Sequence, residues 1–356
     1  MMFGTEKLWS RISAEADAAI IFSEENRRYF TGFPSSDGAL LVWGGKALFY
    51  TDSRYTEAAA RCIGEEFVVD STNLYEKFTE IFNRDGVKKV AIENHRMTLA
   101  EFDDIKTKLP GVEFVTTSLL ADAIEEIRIV KEECEIEKIR AAQKIAEDAF
   151  DHIIKFIKEG MTEKQISLEL DFYMLSHGAE ALSFETIAVA GANSSMPHGV
   201  PGDYKVKKGD FITLDYGAVV DGYHSDMTRT VCLGEPTDKM REVYNTVLEA
   251  QLKGLEVLRD GITGLDADKA AREIIEEKGY GKNFGHGLGH GVGVEIHESP
   301  RLSPKASHTL KAGHVVTVEP GIYLPGEFGV RIEDMAVITE NGSVNLTSCP
   351  KELIIL

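Results

Sequence analysis

The sequence predicts an α/β (α+β) protein of two parts, a small α/β domain over residues 1–123 and a larger one over 124–356. Three observations predict it. Short apolar strands alternate with helical stretches over the first domain. A long helical pattern then runs to Gly160, and beyond it two stretches of chain share motifs in the same order. At 356 residues the chain is also long for a single core.

The opening segment, MMFGTEKLWSRISAEADAAIIF, carries acidic residues before a short apolar stretch. It reads as a first helix and strand rather than a secretory leader, so a cytoplasmic protein is expected. AAIIF (18–22), ALLVW (39–43), KALFY (46–50) and KKVAIE (88–93) read as strands. YTEAAARCI (55–63) and LAEFDDIKTKL (99–109) have helical spacing. Ile136, Ile139, Ala146, Phe150, Ile153 and Ile157 then recur at threes and fours until Gly160 ends the run.

The repetition follows. EGMT at 159–162 is echoed by DGIT at 260–263, and in each half a second glycine stands eighteen residues after the first, Gly178 and Gly279. KKGDFITLDYGA (207–218) aligns with KAGHVVTVEPGI (311–322), which puts Asp215 on Glu319 and, one strand later, Asp226 on Glu333. MPHGV (196–200) resembles GHGVG (289–293), setting His198 opposite His290. Two similar α/β halves about a pseudo-twofold axis would bring such residues to one centre.

Composition narrows the function. Lys and Arg total 39 against 59 Asp and Glu, a formal charge of −20 that repels nucleic acid and anionic membranes. No apolar run reaches the ~18 residues of a membrane span. Cys62, Cys134, Cys232 and Cys349 show no CxxC pairing and read as reduced, mostly buried thiols.

Asp215 in LDYG, Asp226 in SDMTRT, His290 in GLGHGVG, Glu319 in VEPGIY and Glu333 in VRIED form a hard, oxygen-rich ligand set suited to a pair of divalent ions. Such a pair can share a water and lower its pKa. Asp215 follows FITL and Glu319 follows VVTV, so both carboxylates are expected at buried strands, where an unpartnered charge is costly. FITLDYGAVVDGYHSDMTRTVCL reads as a hairpin about a glycine-containing turn, with Asp215 and Asp226 on its two arms. GHGLGHGVGVEIHE has neither GxGxxG nor HExxH spacing. Its glycines are expected to let the backbone pass close to the metals.

These five motifs, in this order, resemble the M24-type metallopeptidases of the pita-bread fold, which include methionine aminopeptidase, aminopeptidase P and prolidase. RRYFTGF (27–33) and TDSRY (51–55) resemble the extra creatinase-like N-terminal domain of the aminopeptidase P and prolidase branch. The resemblance implies an Xaa-Pro aminopeptidase or dipeptidase that cleaves short peptides with proline at the second position. It implies two divalent ions, Mn²⁺ first, with Co²⁺, Zn²⁺ or Fe²⁺ as alternatives. Asp215 would bind one ion, His290 and Glu319 the other, and Asp226 and Glu333 both, with a shared hydroxide as nucleophile. Glu319 would shuttle a proton to the proline nitrogen, while His198 and His297 steady the substrate carbonyl and the tetrahedral intermediate.

His286 resembles a histidine that stands behind the ligands in the family. Arg331, two residues before Glu333 and hence on its face, would pair with a ligand carboxylate or hold a substrate carboxylate. His224, Tyr216, Tyr223 and Tyr323 flank the motifs and read as packing. Arg54 reads first as part of a local salt bridge, and in relatives its domain reaches over a partner's active site. A homodimer is expected on the same footing, with a tetramer open. The alternative is a methionine-type or broader-specificity aminopeptidase, although methionine aminopeptidases lack the first domain, and after it a non-catalytic pita-bread protein, although such metal-free relatives and creatinase usually lack ligands that this chain retains.

Overall fold

The computed structural model describes residues 2–356. Its contacts divide the chain into two compact units, one ending at Arg128 and the other spanning Ile129–Leu356.

The first unit is built on a six-stranded sheet in the spatial order Val68–Asp70, Lys46–Thr51, Ala39–Trp43, Ala18–Ile21, Lys89–Ile92, Glu113–Val115. The central strand Ala18–Ile21 pairs antiparallel with Ala39–Trp43 and parallel with Lys89–Ile92. Both Ala18–Ile21 and Ala39–Trp43 are buried along their whole length, as strands covered on both faces must be. That is why they read as unbroken apolar runs. The two edge strands are only three residues long, too short to show a period in the sequence. Helix Leu99–Lys108 starts at a reciprocal capping box between Thr98 and Glu101.

In the second unit the duplication is visible in the backbone. Helices Glu133–Phe156 and Glu163–Ser176 of the first half correspond to Asp238–Val257 and Gly264–Glu277 of the second. The shorter helix in each half starts at a threonine cap, Thr162 or Thr263, whose hydroxyl accepts from the backbone N–H three residues on. The repeated glycines are repeated because the geometry is: Gly160 and Gly261 both sit at φ +88°, and Gly209 and Gly313 both at φ +90°. Only glycine occupies that region without strain.

Each half then forms one hairpin inside another. Strands Asp210–Tyr216 and Met227–Leu233 pair antiparallel, with Asp215 opposite Thr228. The small hairpin Ala218–Val220 and Tyr223–His224 sits between them, turning at Asp221-Gly222 with both φ values positive. Strands Val315–Val318 and Asp334–Thr339 repeat the outer pair, and Gly321–Leu324 with Phe328–Arg331 repeats the inner one.

Two apolar clusters fill the unit, one centred on each half, with Phe211 and Cys232 of the first half packed into the second cluster. Phe150, Ile153, Leu170, Ile212 and Tyr216 belong to the first, and Val243, Ala271, Val316, Ile322 and Ile338 to the second. The halves are joined by backbone: the Glu333 N–H donates to the Thr228 carbonyl, 3.1 Å, and the Thr230 hydroxyl donates to the Arg331 carbonyl, 3.0 Å.

All four cysteines are free, but only Cys232 and Cys349 are buried. Cys62 and Cys134 are exposed, because each falls on the outward face of a helix whose apolar stripe lies elsewhere. Among the described residues no helix is long and apolar enough to cross a membrane.

Candidate metal centre

Asp215, Asp226, His290, Glu319 and Glu333 line one cavity of about 540 Å³ at the seam between the halves. Only Asp215 lies within a long strand. Asp226 and Glu333 stand one residue before Met227–Leu233 and Asp334–Thr339, and Glu319 one residue after Val315–Val318. At a strand end the backbone leaves the ladder, so the side chain can turn into open volume while its Cα stays held. His290 sits in the short strand Gly289–Gly291, which is bulged between His290 and Gly291.

One ligand atom each from Asp226, His290 and Glu333 can be chosen so that all lie within 4.8 Å of one another, and all three residues are buried. His290 Nε2 is 3.6 Å from Asp226 Oδ2 and 3.4 Å from Glu319 Oε1. Its Nδ1 lies 3.1 Å from the Gly291 carbonyl and donates to it, which leaves the Nε2 lone pair facing the carboxylates. Burial holds the imidazole neutral, its pKa lowered to about 3. Burial, then Asp215 and Glu319, push the Asp226 carboxyl well above its ordinary range. Burial, then Asp226, does the same to Glu333. Burial raises Glu319 to about 8, against the opposing field of Arg331.

Asp215 Oδ1 and Asp226 Oδ1 are buried with no hydrogen-bond partner among the described residues. Unpartnered carboxylate oxygens beside a neutral imidazole nitrogen are the complement of a hard divalent cation. The residues therefore fit a metal. Metal uptake must displace the protons these carboxyls retain, while His290 has none to lose. Apparent metal affinity is expected to rise with pH by about tenfold per unit for each proton displaced, the Glu319 proton being lost around pH 8. Calorimetric titration in two buffers of different ionisation heat reads this directly, and uptake without proton release would contradict it.

Arg331 is held inside the site. It donates to Asp215 Oδ2 at 2.5 Å, to the Thr228 hydroxyl at 3.1 Å, to the Tyr323 hydroxyl at 2.8 Å and to the Pro197 carbonyl at 3.3 Å. Of the two roles read for it in the sequence, these contacts match the pairing with a ligand carboxylate. Thr228 passes the contact on, donating to Glu333 Oε2 at 2.7 Å. His286 Nδ1 donates to the Gly287 carbonyl, so its Nε2 accepts from the Tyr323 hydroxyl at 2.9 Å. Burial, then Arg331, keeps His286 neutral, its pKa lowered to about 4. Tyr323 is thus more than the packing residue its neighbours suggested: it joins Arg331 to His286. Tyr216 and Tyr223 are buried, their hydroxyls donating to the Ala146 carbonyl and to Glu135, and His224 Nδ1 lies 2.9 Å from the Ser183 hydroxyl.

His198 and His297 both line the cavity and are exposed to it. The loop under His297 is closed by Glu298, which accepts from the Glu295 N–H and pairs at 3.0 Å with Lys131, both side chains nearly inaccessible. Arg301 also lines the cavity and was not singled out in the sequence. It stands opposite His290 across the strand pair, so the two side chains share a face. Among the described residues its guanidinium has no hydrogen-bond or ion-pair partner. Phe184, Ile187, Val200, Ile296 and Leu302 form apolar wall.

The glycines of 287–293 meet close neighbouring chain. A Cβ at Gly289 would lie 2.0 Å from the Thr317 carbonyl oxygen, and one at Gly291 2.2 Å from that of Ser299. Arg54, in the first unit, pairs with Asp52 and with Asp37, the local salt bridge the sequence suggested.

The sequence model of metallopeptidase family M24 matches residues 137–340, and that of the creatinase/prolidase N-terminal domain matches residues 12–130. An uncharacterized peptidase of Bacillus subtilis is 45% identical, covering 96% of both chains. The solved structure of an Xaa-Pro dipeptidase from Bacillus anthracis superposes with a TM-score of 0.93 at 41% identity, covering 99% of each chain. An X-Pro aminopeptidase from Thermotoga maritima superposes at 0.91 with 39% identity, over 96% of this chain and 98% of that one.

Proposed function

The chain belongs to metallopeptidase family M24, and on that footing we propose that it is an Xaa-Pro exopeptidase whose preferred substrates are Xaa-Pro dipeptides. Divalent ions held by Asp215, Asp226, His290, Glu319 and Glu333, two in number with Mn²⁺ first, would supply Lewis acidity and an activated water. The protein's own groups do the rest. His198 and His297 donate hydrogen bonds to the scissile carbonyl oxygen as charge builds on it. Glu319 takes up the proton of the attacking water and delivers it to the proline nitrogen as the carbon–nitrogen bond breaks. Arg331 keeps the Asp215 carboxylate in place. The apolar wall beside Phe184, Ile187 and Leu302 receives the pyrrolidine ring and keeps water off it.

The observation that carries the dipeptide preference is Arg301, a guanidinium without a partner on the wall beside His290. In a dipeptide the terminal carboxylate lies within one residue of the scissile bond, and a guanidinium takes such a group in two parallel hydrogen bonds. Arg301→Ala is expected to raise KM for Xaa-Pro dipeptides at least tenfold, about the 1.5–3 kcal/mol of a charge-assisted hydrogen bond, with little change in kcat. The wild type should show the same loss on the C-terminal amide of the dipeptide, and the variant should lose nothing further on it. Faster cleavage of Xaa-Pro-Yaa tripeptides, with Arg301→Ala indifferent on dipeptides, would instead make the protein an aminopeptidase P. The expected homodimer is read by sedimentation of the metal-loaded enzyme.

A further inference from the structure

His198 stands midway along a segment that leaves strand Ile187–Ala190 and returns at Gly202. Both feet of that segment rest on one side chain. Glu163 is fully buried, at the start of helix Glu163–Ser176. Its Oε1 accepts from the Ala190 N–H at 2.7 Å and from Asn193 Nδ2 at 3.0 Å, and its Oε2 accepts from the Gly202 N–H at 3.0 Å. The Lys164 N–H adds a bond to the Gly202 carbonyl, 3.1 Å. Among the described residues no Lys or Arg forms an ion pair with Glu163, so these N–H groups are its hydrogen-bond complement.

A charged group buried without a cation is costly, and it persists where its acceptors are all used. Here both oxygens are used, and on opposite ends of the same segment. The other half of the duplication sharpens the point. The position matching Glu163 is Gly264, where an added Cβ would lie 2.2 Å from the Arg301 carbonyl oxygen. The second half therefore brings its helix start directly against the strand that follows His297. The first half carries a carboxylate side chain at that place, bonded to the 190–202 segment.

We propose that Glu163 is a positioning residue for the peptidase reaction, clasping residues 190–202 at both feet and so setting His198 over the cavity. The proposal rests on the role given to His198 above. The tip of the segment is tied separately, by Arg331 to the Pro197 carbonyl and by the Gly329 N–H to the Ser194 hydroxyl. Losing the clasp should therefore shift the loop without releasing it entirely.

Glu163→Gln is the test, because glutamine keeps the shape but presents an NH2 group to one of the two feet. In the metal-loaded enzyme, Glu163→Gln is expected to exchange the Ala190 and Gly202 amides at least tenfold faster, with metal content unchanged. Its kcat/KM should fall on the order of 10²-fold, the scale of a misplaced catalytic group. The double variant Glu163→Gln/His198→Ala should be no slower than His198→Ala alone. Unchanged amide exchange overturns the clasp. Faster exchange with losses that multiply in the double variant also overturns it, since Glu163 would then act elsewhere than through His198. If His198→Ala alone leaves turnover intact, the role of His198 falls, and amide exchange alone decides the clasp. Asn193→Ala removes one donor and leaves the carboxylate on the other two. It should move every readout the same way by less, and it takes over the test if Glu163→Gln does not fold.

Discussion

Asp226→Asn is expected to cut peptide hydrolysis by orders of magnitude and to make the metal-free protein more stable. Asp226 shares its ligand triangle with His290 and Glu333, and its Oδ1 has no protein partner. Replacing one carboxylate oxygen by an NH2 group removes negative charge from the centre and sets a donor where a cation would sit. Metal-ion catalysis contributes several kcal/mol, so kcat/KM should fall on the order of 10³-fold. The stability effect has the opposite sign. Burial and the neighbouring carboxylates raise the carboxyl of Asp226 in the folded state above its unfolded value. Such a group weakens the metal-free fold progressively as pH rises above the unfolded value of about 4, and a neutral amide removes that load. Apo Asp226→Asn should melt above the apo wild type at pH 8 and level with it near pH 4. The wild type should gain stability on adding Mn²⁺, and the variant should gain far less. A variant that melts below the wild type without metal at pH 8 would falsify this account of the cluster.

The largest stability loss away from the ligands is expected at Arg229. Its side chain is almost wholly inaccessible. It donates to the carbonyls of Thr228, Glu333, Cys349 and Pro350 and to Asp334 Oδ1, at 2.6–2.9 Å. Arg229→Met leaves those four carbonyls short of a donor. Asp334 keeps Lys351 at 2.6 Å and Asn345 at 2.7 Å, so its charge remains paired. An unsatisfied buried acceptor costs about 1–3 kcal/mol, and some of the four can reach water as the 349–350 segment loosens. A net loss of roughly 3–5 kcal/mol is expected in urea unfolding. Arg229→Lys should recover little, since three donors on a point charge cannot serve five acceptors. The buried Cys349 thiol gives a second readout, becoming reactive toward thiol reagents in the variant. A shift below 1 kcal/mol with Cys349 still protected would show that the network contributes little.

The contrast between these two residues marks what the sequence made legible. Asp226 could be found because it sits in a motif whose counterpart, around Glu333, recurs at a matching place in the second half. Strand-like apolar flanks made the carboxylates anomalous, and an anomaly with a repeat is hard to produce by chance. Arg229 lies in the same TRT run, three residues from Asp226, and reads as an ordinary charge on a strand. Its partners are 104 to 121 residues away, apart from its neighbour Thr228, and no periodicity links them. Glu163 was hidden in the same way: a glutamate on the first turn of a helix is expected to be solvated, and its burial depends on a segment some thirty residues on. Arg301 became visible only when the strand register set it beside His290. In the first unit, the buried central strands were readable as apolar runs, while the three-residue edge strands were not.

The division of ligands across the seam has a thermodynamic consequence. Asp215 and Asp226 come from one half, and His290, Glu319 and Glu333 from the other, and the apolar cluster of the second half takes in Phe211 and Cys232 of the first. On the proposed ligand set neither half would hold an ion alone, so an ion touching both would be a crosslink as well as a reagent. Its binding free energy opposes any opening between the halves, and it does so more strongly the higher the free ion concentration. Cation supply would then set how long the two halves stay docked, making endurance as well as rate a function of the surrounding metal.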